Sequence, residues 1–474
     1  MIRAHGDADI ATADMNATVP SIERLQANVH GRVIVPGDDD YDNARKVFNA
    51  MIDRRPAVVV RCADAADVIA AVHFAREAEL PVAVRGGGHS VVGYGVCDAG
   101  VVIDLSPMRS VHVDPVRRTA RAEGGATWGD FDHATQAFGL ASTGGIVPST
   151  GVGGLTLGGG IGYLNRKYGL ACDNLLSVDV VTADGELHTA SAAENEDLFW
   201  ALRGGGGNLG VVTSFEYRLH PVGLVLGGEI VYPLEQAREM LRFYRDWSTN
   251  APDDVRVDAS LVSTPDGPAL GFEVCCCGPV DEGARVLAPL RQTGSPMLDT
   301  VDAVPYATVQ NLLTEVLLPG MHYWKSSFFR DFSDEAIDAI VGFFTRATPP
   351  PFAAIAIEHL GGAIARVAPE ETAFVHRHAT HSLLVLRLWD DAAESEESIA
   401  WARACYEAAE PFLESGVYVN YLADEGTGRV RAAYGANYER LTEVKTKYDP
   451  HNLFRFNQNV APASAAGVAA TTAD

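Results

Sequence analysis

Pro81-Val82-Ala83-Val84-Arg85-Gly86-Gly87-Gly88-His89-Ser90 begins as a buried strand and ends in three glycines and a histidine. Lacking a Cβ, glycine lets backbone N–H groups crowd toward a ligand oxygen. Two further runs have the same character. They are Thr150-Gly151-Val152-Gly153-Gly154-Leu155-Thr156-Leu157-Gly158-Gly159-Gly160-Ile161-Gly162 and Arg203-Gly204-Gly205-Gly206-Gly207-Asn208-Leu209-Gly210. One such run could be a tight turn, whereas three of this density imply a long diphosphate ligand laid across a domain. Gly205-x-Gly207-x-x-Gly210 formally matches the dinucleotide fingerprint. Its setting is reversed, because a helix-like stretch (196–202) precedes it and a strand follows. The dinucleotide must therefore be held in another way.

Outward from the first run, residues 56–61 read as a buried strand. Residues 65–78 carry apolar positions at helical spacing behind Asp64, a plausible N-cap. With 81–85 this gives a strand–helix–strand start. Residues 100–105, 118–122, 175–182 and 211–219 read as further strands, the third closed by the turn Ala183-Asp184-Gly185. Beyond Pro221 the pattern changes. Helical stretches at 235–249, 333–345 and 398–410 interleave with longer strands at 269–277, 352–359 and 383–389. That implies a sheet covered by helices, an α+β arrangement. A last helix, 436–448, stops at Asp449-Pro450-His451-Asn452.

Four segments in this order resemble the berberine bridge enzyme-like branch of the FAD-linked oxidases, within the vanillyl-alcohol oxidase/p-cresol methylhydroxylase superfamily. They are Arg85 to Ser90; Thr150 to Gly162 with Asn165-Arg166-Lys167-Tyr168-Gly169-Leu170-Ala171-Cys172-Asp173-Asn174; Asp197-Leu198-Phe199-Trp200-Ala201-Leu202-Arg203-Gly204; and Lys447-Tyr448-Asp449-Pro450-His451-Asn452-Leu453-Phe454. The match runs from about Pro56 to Pro462. It implies the two-domain fold of that family. An FAD-binding domain comes from both chain ends (1–222 and 416–474, the core starting near 50, the tail 463–474 disordered). A substrate domain of antiparallel sheet covered by helices (223–415) is inserted between them.

The resemblance also implies the site. His89 matches the histidine bonded to the flavin 8α-methyl, a link that withdraws electrons and raises the redox potential. Many plant members add a cysteine link at the position occupied here by Val147, so a single bond is expected. FAD contacts are expected from Arg85, Gly86, Gly87, Gly88, Ser90 and Gly93. Gly144, Val147, Pro148, Thr150, Gly151, Gly153 and Gly154 are expected to continue them, with Leu157, Gly158, Gly160 and Ile161. Gly210, Val212, Asn420 and Asn457 complete the set.

Flavin chemistry also needs a base for the substrate O–H or N–H proton. Tyr418-Val419-Asn420-Tyr421 resembles the family's Tyr-x-Asn-Tyr segment. On a strand Tyr418 and Asn420 would share a face and Tyr421 would take the other, one tyrosine for catalysis and one for packing. A tyrosine base needs its ordinary value near 10 lowered. His359, ending a strand before Gly361-Gly362, is a further catalytic candidate, while Trp324 and Lys325 could supply an aromatic wall and a cation. No carboxylate stands beside His381-Ser382, where alkaloid-cyclising members carry one. His376, His378 and His381 have metal-like spacing, but the family implies no metal and none is expected.

Composition narrows the partners. The formal net charge is −25, which repels phosphate backbones and anionic lipid, so neither nucleic acid nor membrane is expected. Seven cysteines, Cys275-Cys276-Cys277 among them, form no CxxC pair. Together with an N-terminus (1–19) lacking an apolar core, this points to reduced thiols in a cytoplasm. The expected activity is oxidation of a small organic substrate, hydride passing to flavin N5 and electrons to O2 with release of H2O2. A dehydrogenase or tailoring enzyme using another acceptor is the alternative. Substrate identity and oligomeric state stay open.

Overall fold

The computed structural model describes residues 21–264, 267–347 and 352–463. The expectations for the N-terminus (1–19) and for a disordered tail (463–474) fall outside them, except at Ala463. Valines decide the first layer. Val58–Arg61, Val82–Arg85 and Val101–Asp104 run parallel, buried on both sides, with Arg32–Ile34 antiparallel at one edge. Such near-continuous β-branched runs suit a sheet with two covered faces. The helix Ala65–Glu77 crosses between the first two, and the Asp64 side chain accepts the Asp67 N–H at its N-terminus. A second, five-stranded antiparallel sheet packs alongside, with Val211–Arg218 paired between Thr119–Glu123 and Leu175–Val181.

The third sheet is large and wholly antiparallel. Leu224–Pro233, Gly267–Cys276, Val255–Thr264, Ala353–His359, His381–Trp389 and Met321–Phe328 follow one another across it. One face packs on the helices Ala237–Ser248, Val280–Gln292, Asp334–Arg346 and Ser395–Ala409. The other face meets the glycine-rich half of the molecule. Alternation along Gly267–Cys276 separates the cysteines as strand geometry requires: Cys276 joins the helix-side core and Cys275 a cluster with Tyr163 and Tyr306. All seven thiols are free.

Residues from both ends share one core. Trp128, Phe215 and Leu198 lie in the same apolar cluster as Val417, Leu441 and Val460. The last helix, Tyr438–Tyr448, anchors this return. Its Lys445, with a fully buried side chain, reaches Asp449 at 2.6 Å, Asn208 O at 2.7 Å and Phe454 O at 2.9 Å. Asp449 in turn accepts the N–H groups of Leu453 and Phe454. Removing one partner strands a buried charge. Lys445→Met is expected to cost about 3–5 kcal/mol, read as a lowered urea midpoint, whereas an exposed pair such as Arg431–Glu439 should cost little.

Two sequence expectations change here. Residues 418–421 are not a strand: Val419–Tyr421 is a 3-10 turn. Strand alternation would put His376 and His378 on one face and His381 on the other, but only His381 lies in a strand. His376 Nε2 reaches Ala433 O, His378 Nε2 reaches Glu414, and His381 Nε2 reaches Ser248 Oγ.

Candidate active site

Three glycine segments, the third sheet and the C-terminal return enclose one cleft. Its lining includes Gly86 to Ser90, Val147, Thr150, Gly151, Gly154 and Ile161 from the first two segments, and Gly206 and Gly207 from the third. Trp324, Leu384 and Leu386 come from the sheet, and Tyr418, Asn420, Tyr421 and Asn457 from the return. The first two segments meet backbone to backbone. A Cβ on Gly87 would lie 2.4 Å from Gly151 N, and one on Gly151 2.4 Å from Gly87 N. Only glycine allows that approach. A Cβ on cleft-lining Gly154 would have nothing within 4 Å, and one on Gly207 only Asn457 at 4.0 Å. Backbone is therefore bare along the cleft, as a flavin dinucleotide requires.

Other residues expected to touch FAD build the loops, and of these only Arg85 also lines the cleft. Gly93 and Gly144 stand where a Cβ would strike Ile52 and Trp128, and Gly153 sits near Gly124 O and Phe215. Pro148 O accepts the Gly129 N–H, while Leu157 O accepts those of Gly204 and Gly206. A Cβ on Gly158 would collide with Asn420, and Gly160 donates to Tyr418. Gly210 holds φ 157° against Val181 O, and Val212 is buried. Arg85 has its guanidinium in a buried pair with Asp104 (2.6 Å) and on Ala44 O (2.5 Å), holding the strand end from which the first loop departs.

His89 sits in that loop with Nε2 3.0 Å from Ser149 Oγ and Nδ1 3.5 Å from Thr150 Oγ1. Its ring stacks on Phe48 at 4.2 Å, and Phe48 stacks on His322 at 4.4 Å. Burial, reinforced by His322, pushes the imidazole down to about 4. At neutral pH it is uncharged, the form in which a ring nitrogen is nucleophilic. The same 47–52 segment fastens the two halves of the molecule. Asn49 Nδ2 donates to Val91 O (2.6 Å) and His322 O (3.0 Å).

The 3-10 turn puts both tyrosines in the cleft, their rings 4.8 Å apart and edge to face. Their environments differ. The Tyr418 oxygen accepts the N–H of Gly160 (3.0 Å), the N–H of Ile161 (3.3 Å) and Asn420 Nδ2 (2.8 Å), which ties the turn to the second glycine segment. Tyr421 donates its hydroxyl to Glu358 Oε1 at 2.9 Å. Glu358 Oε2 accepts Ser382 Oγ from the neighbouring strand. A carboxylate thus does reach Ser382, delivered across the sheet. Burial raises both tyrosines, and Glu358 adds to this at Tyr421. Neither is the preformed phenolate expected from sequence, so a proton leaving Tyr421 needs the acceptor beside it.

Two candidates are not brought to the cleft. His359 alternates with Glu358 and so faces the helices, stacked on His381 at 5.5 Å and close to Tyr244. Lys325 alternates with Trp324 and pairs with Glu425 (2.5 Å), over the Tyr406 ring. Trp324 does line the cleft, edge to face with Tyr421 at 5.7 Å. Sequence reading passed over Phe48, Ser149, Leu384, Leu386 and Arg256. It did not single out Glu358, although a carboxylate closing the apolar run 353–357 was a usable signal.

Comparison with known proteins identifies the family and the fold. Residues 56–191 match the FAD binding domain family and residues 417–461 the berberine and berberine-like family. An uncharacterised FAD-linked oxidoreductase of Bacillus subtilis is 34% identical over 91% of this chain and 97% of its own. The (R)-6-hydroxynicotine oxidase of Paenarthrobacter nicotinovorans is 32% identical over 92% and 97%. The crystal structure of 6-hydroxy-D-nicotine oxidase from Arthrobacter nicotinovorans superposes with a TM-score of 0.86 at 31% identity, covering 91% of this chain and 98% of that one.

Proposed function

Since the chain belongs to the berberine bridge enzyme-like FAD-linked oxidoreductases, we propose that it is an oxidase of small organic alcohols or amines whose FAD is bonded through His89 alone. The observation that carries this reading is the Tyr421 hydroxyl, 2.9 Å from Glu358 inside the cleft bounded by the glycine segments. Bound FAD would accept a hydride at N5 and pass the electrons to O2. The backbone of 86–90, 150–154 and 206–207, with Asn457, would hold it, and Val147 offers no second bond. Tyr421 would take the substrate O–H or N–H proton while giving its own to Glu358. Tyr418 and Asn420 would fix the turn. Trp324 and Tyr421 would flank the substrate.

The sheet wall of the cleft, Leu384 and Leu386 beside Trp324, favours a flat, largely apolar substrate over an oligosaccharide, which needs a dense set of polar partners. The (R)-6-hydroxynicotine oxidase name of one relative agrees with such a substrate. We read the FAD domain as 1–222 with 416–474 and the substrate domain as 223–415. No helix among the described residues is long and apolar enough to cross a membrane, and we assign the enzyme to the cytoplasm.

Release of H2O2 on mixing with aromatic alcohols or cyclic amines, and not with oligosaccharides, is the expected outcome in a peroxidase-coupled assay. A flavin reduced quickly by those compounds but stable in air would replace O2 with another acceptor.

A further inference from the structure

The sheet face that meets the glycine-rich half carries a row of carboxylates. Glu229, Glu273 and Asp258 are direct partners across three neighbouring strands. Residues paired across a ladder share a face. The next strand adds Glu358, opposite Ser382. Among these acids lies one buried guanidinium, that of Arg256, on the same strand face as Asp258. Arg256 Nη2 is 2.6 Å from Asp258 Oδ2 and 3.7 Å from Glu358 Oε1, the oxygen that also accepts the Tyr421 hydroxyl. Arg256 Nη1 donates to Gly162 O, at the end of the second glycine segment. The guanidinium is thus fixed from below and from across the interface, between two carboxylates of unequal distance.

We propose that Arg256 is a positioning residue that sets the protonation midpoint of Glu358, and that Asp258 limits how much of its charge Glu358 feels. The inference rests on the reading of Tyr421 and Glu358 as the proton-accepting pair. An opposite charge within ~4–6 Å favours the ionised carboxylate, a like charge disfavours it, and burial disfavours it further. All three act on Glu358. Burial is the largest and raises it, Arg256 lowers it and Asp258 raises it, while Ser382 and Tyr421 lower it by hydrogen bonding.

Other groups face the pair from neighbouring elements. Tyr163 of the glycine segment lies against the guanidinium (5.8 Å) and donates to Glu273. Glu273 is raised to about 8, chiefly by burial, which disfavours its charged form, and the guanidinium contacts Asp258 and Glu358. Cys275 shares that strand. Tyr244 and His359 act from the helix side, Arg166 from the short helix Asn165–Tyr168 after the second glycine segment, and Tyr418 from the cleft. With Asp258 the nearer partner, Glu358 holds only part of the attraction. Its midpoint can therefore be moved both ways.

The sign follows directly. Glu358 receives a proton only when ionised, so turnover falls as pH drops through its midpoint. Arg256→Gln removes the cation and shifts the midpoint up. Asp258→Asn removes the competing charge, keeps an acceptor oxygen for the His359 N–H, and shifts it down. Each shift is expected to be about one to two pH units. Arg256→Lys, which retains the charge, should lie near the parent.

The test is an infrared pH titration of the flavin-loaded full chain, following the carboxyl C=O band that disappears in Glu358→Gln. It needs no substrate. Opposite displacements in Arg256→Gln and Asp258→Asn support the proposal. Unmoved midpoints, or displacements of the same sign, overturn it. Should Arg256→Gln fail to fold, Asp258→Asn and Arg256→Lys decide: a midpoint lowered in the first and retained in the second supports the proposal, any other pair overturns it. The catalytic reading fails separately, if Tyr421→Phe leaves flavin reduction at the parent rate.

Discussion

Tyr421→Phe should slow reduction of the flavin by substrate about 10²–10⁴-fold, the usual loss when a positioned acid–base group is removed. The ring remains, so the contact with Trp324 and the packing against Tyr418 persist. What disappears is the hydroxyl that links the cleft to Glu358. Substrate affinity should therefore change much less than the rate, a split that stopped-flow absorbance separates. Glu358→Gln should give a similar loss, because it keeps the shape and removes the proton acceptor. Tyr418→Phe should behave differently. Its oxygen accepts from Gly160, Ile161 and Asn420, so its loss leaves donors unpaired and should appear first as weakened stability. Equal rate losses in the two tyrosine variants, with equal stability, would contradict the division of labour drawn here.

His89→Ala is expected to abolish flavin fluorescence in the protein band of an acid-denatured gel, while the native protein still purifies yellow. The neutral imidazole, its Nε2 beside Ser149 and its ring braced by Phe48, leaves no comparable nucleophile in the loop. Val147 occupies the place of the second link and Cys172 is buried away from the cleft, so no residual bonded fraction should remain. A fluorescent band in the variant would mean that another residue forms the bond.

Much of the fold was legible because its signals are local. The glycine runs follow or precede strands whose valines announce double burial, and Asp64 caps the helix it seemed to cap. Several elements went unread, including four in the large sheet and its cover. Leu224–Pro233 carries Gly227-Gly228 within its strand, and Val255–Thr264 and Met321–Phe328 place charged or polar side chains on the interface face. Val280–Gln292 holds Pro289 near its end and tolerates it there. Their identity as sheet and cover is fixed by partners far along the chain.

The site divides along the same line. Residues in the glycine loops could be named from spacing, since close backbone approach demands glycine wherever it occurs. The tyrosine turn was misassigned because Tyr-x-Asn-Tyr fits alternation as well as it fits a 3-10 turn. Contacts with Gly160, Ile161 and Leu155 select the turn. His359 and Lys325 were each one residue from the side chain that lines or supports the cleft. On a strand, one step exchanges the two faces of the sheet, so a sequence hint accurate to one position is still wrong about chemistry.

The ties that close the cleft join residues very far apart along the chain. Asn49 holds His322, Gly160 holds Tyr418, and Asn457 holds Gly207. Closing such long loops costs entropy before any contact rewards it, and non-local pairing is slow. On the ribosome, the polypeptide can fold its first layers early, yet the chamber has no tyrosine turn and no Asn457 until residues 418–457 have emerged. Birth of the first layers and birth of the catalytic chamber are thus separate events, the second waiting for a stretch made hundreds of residues after the first glycine run.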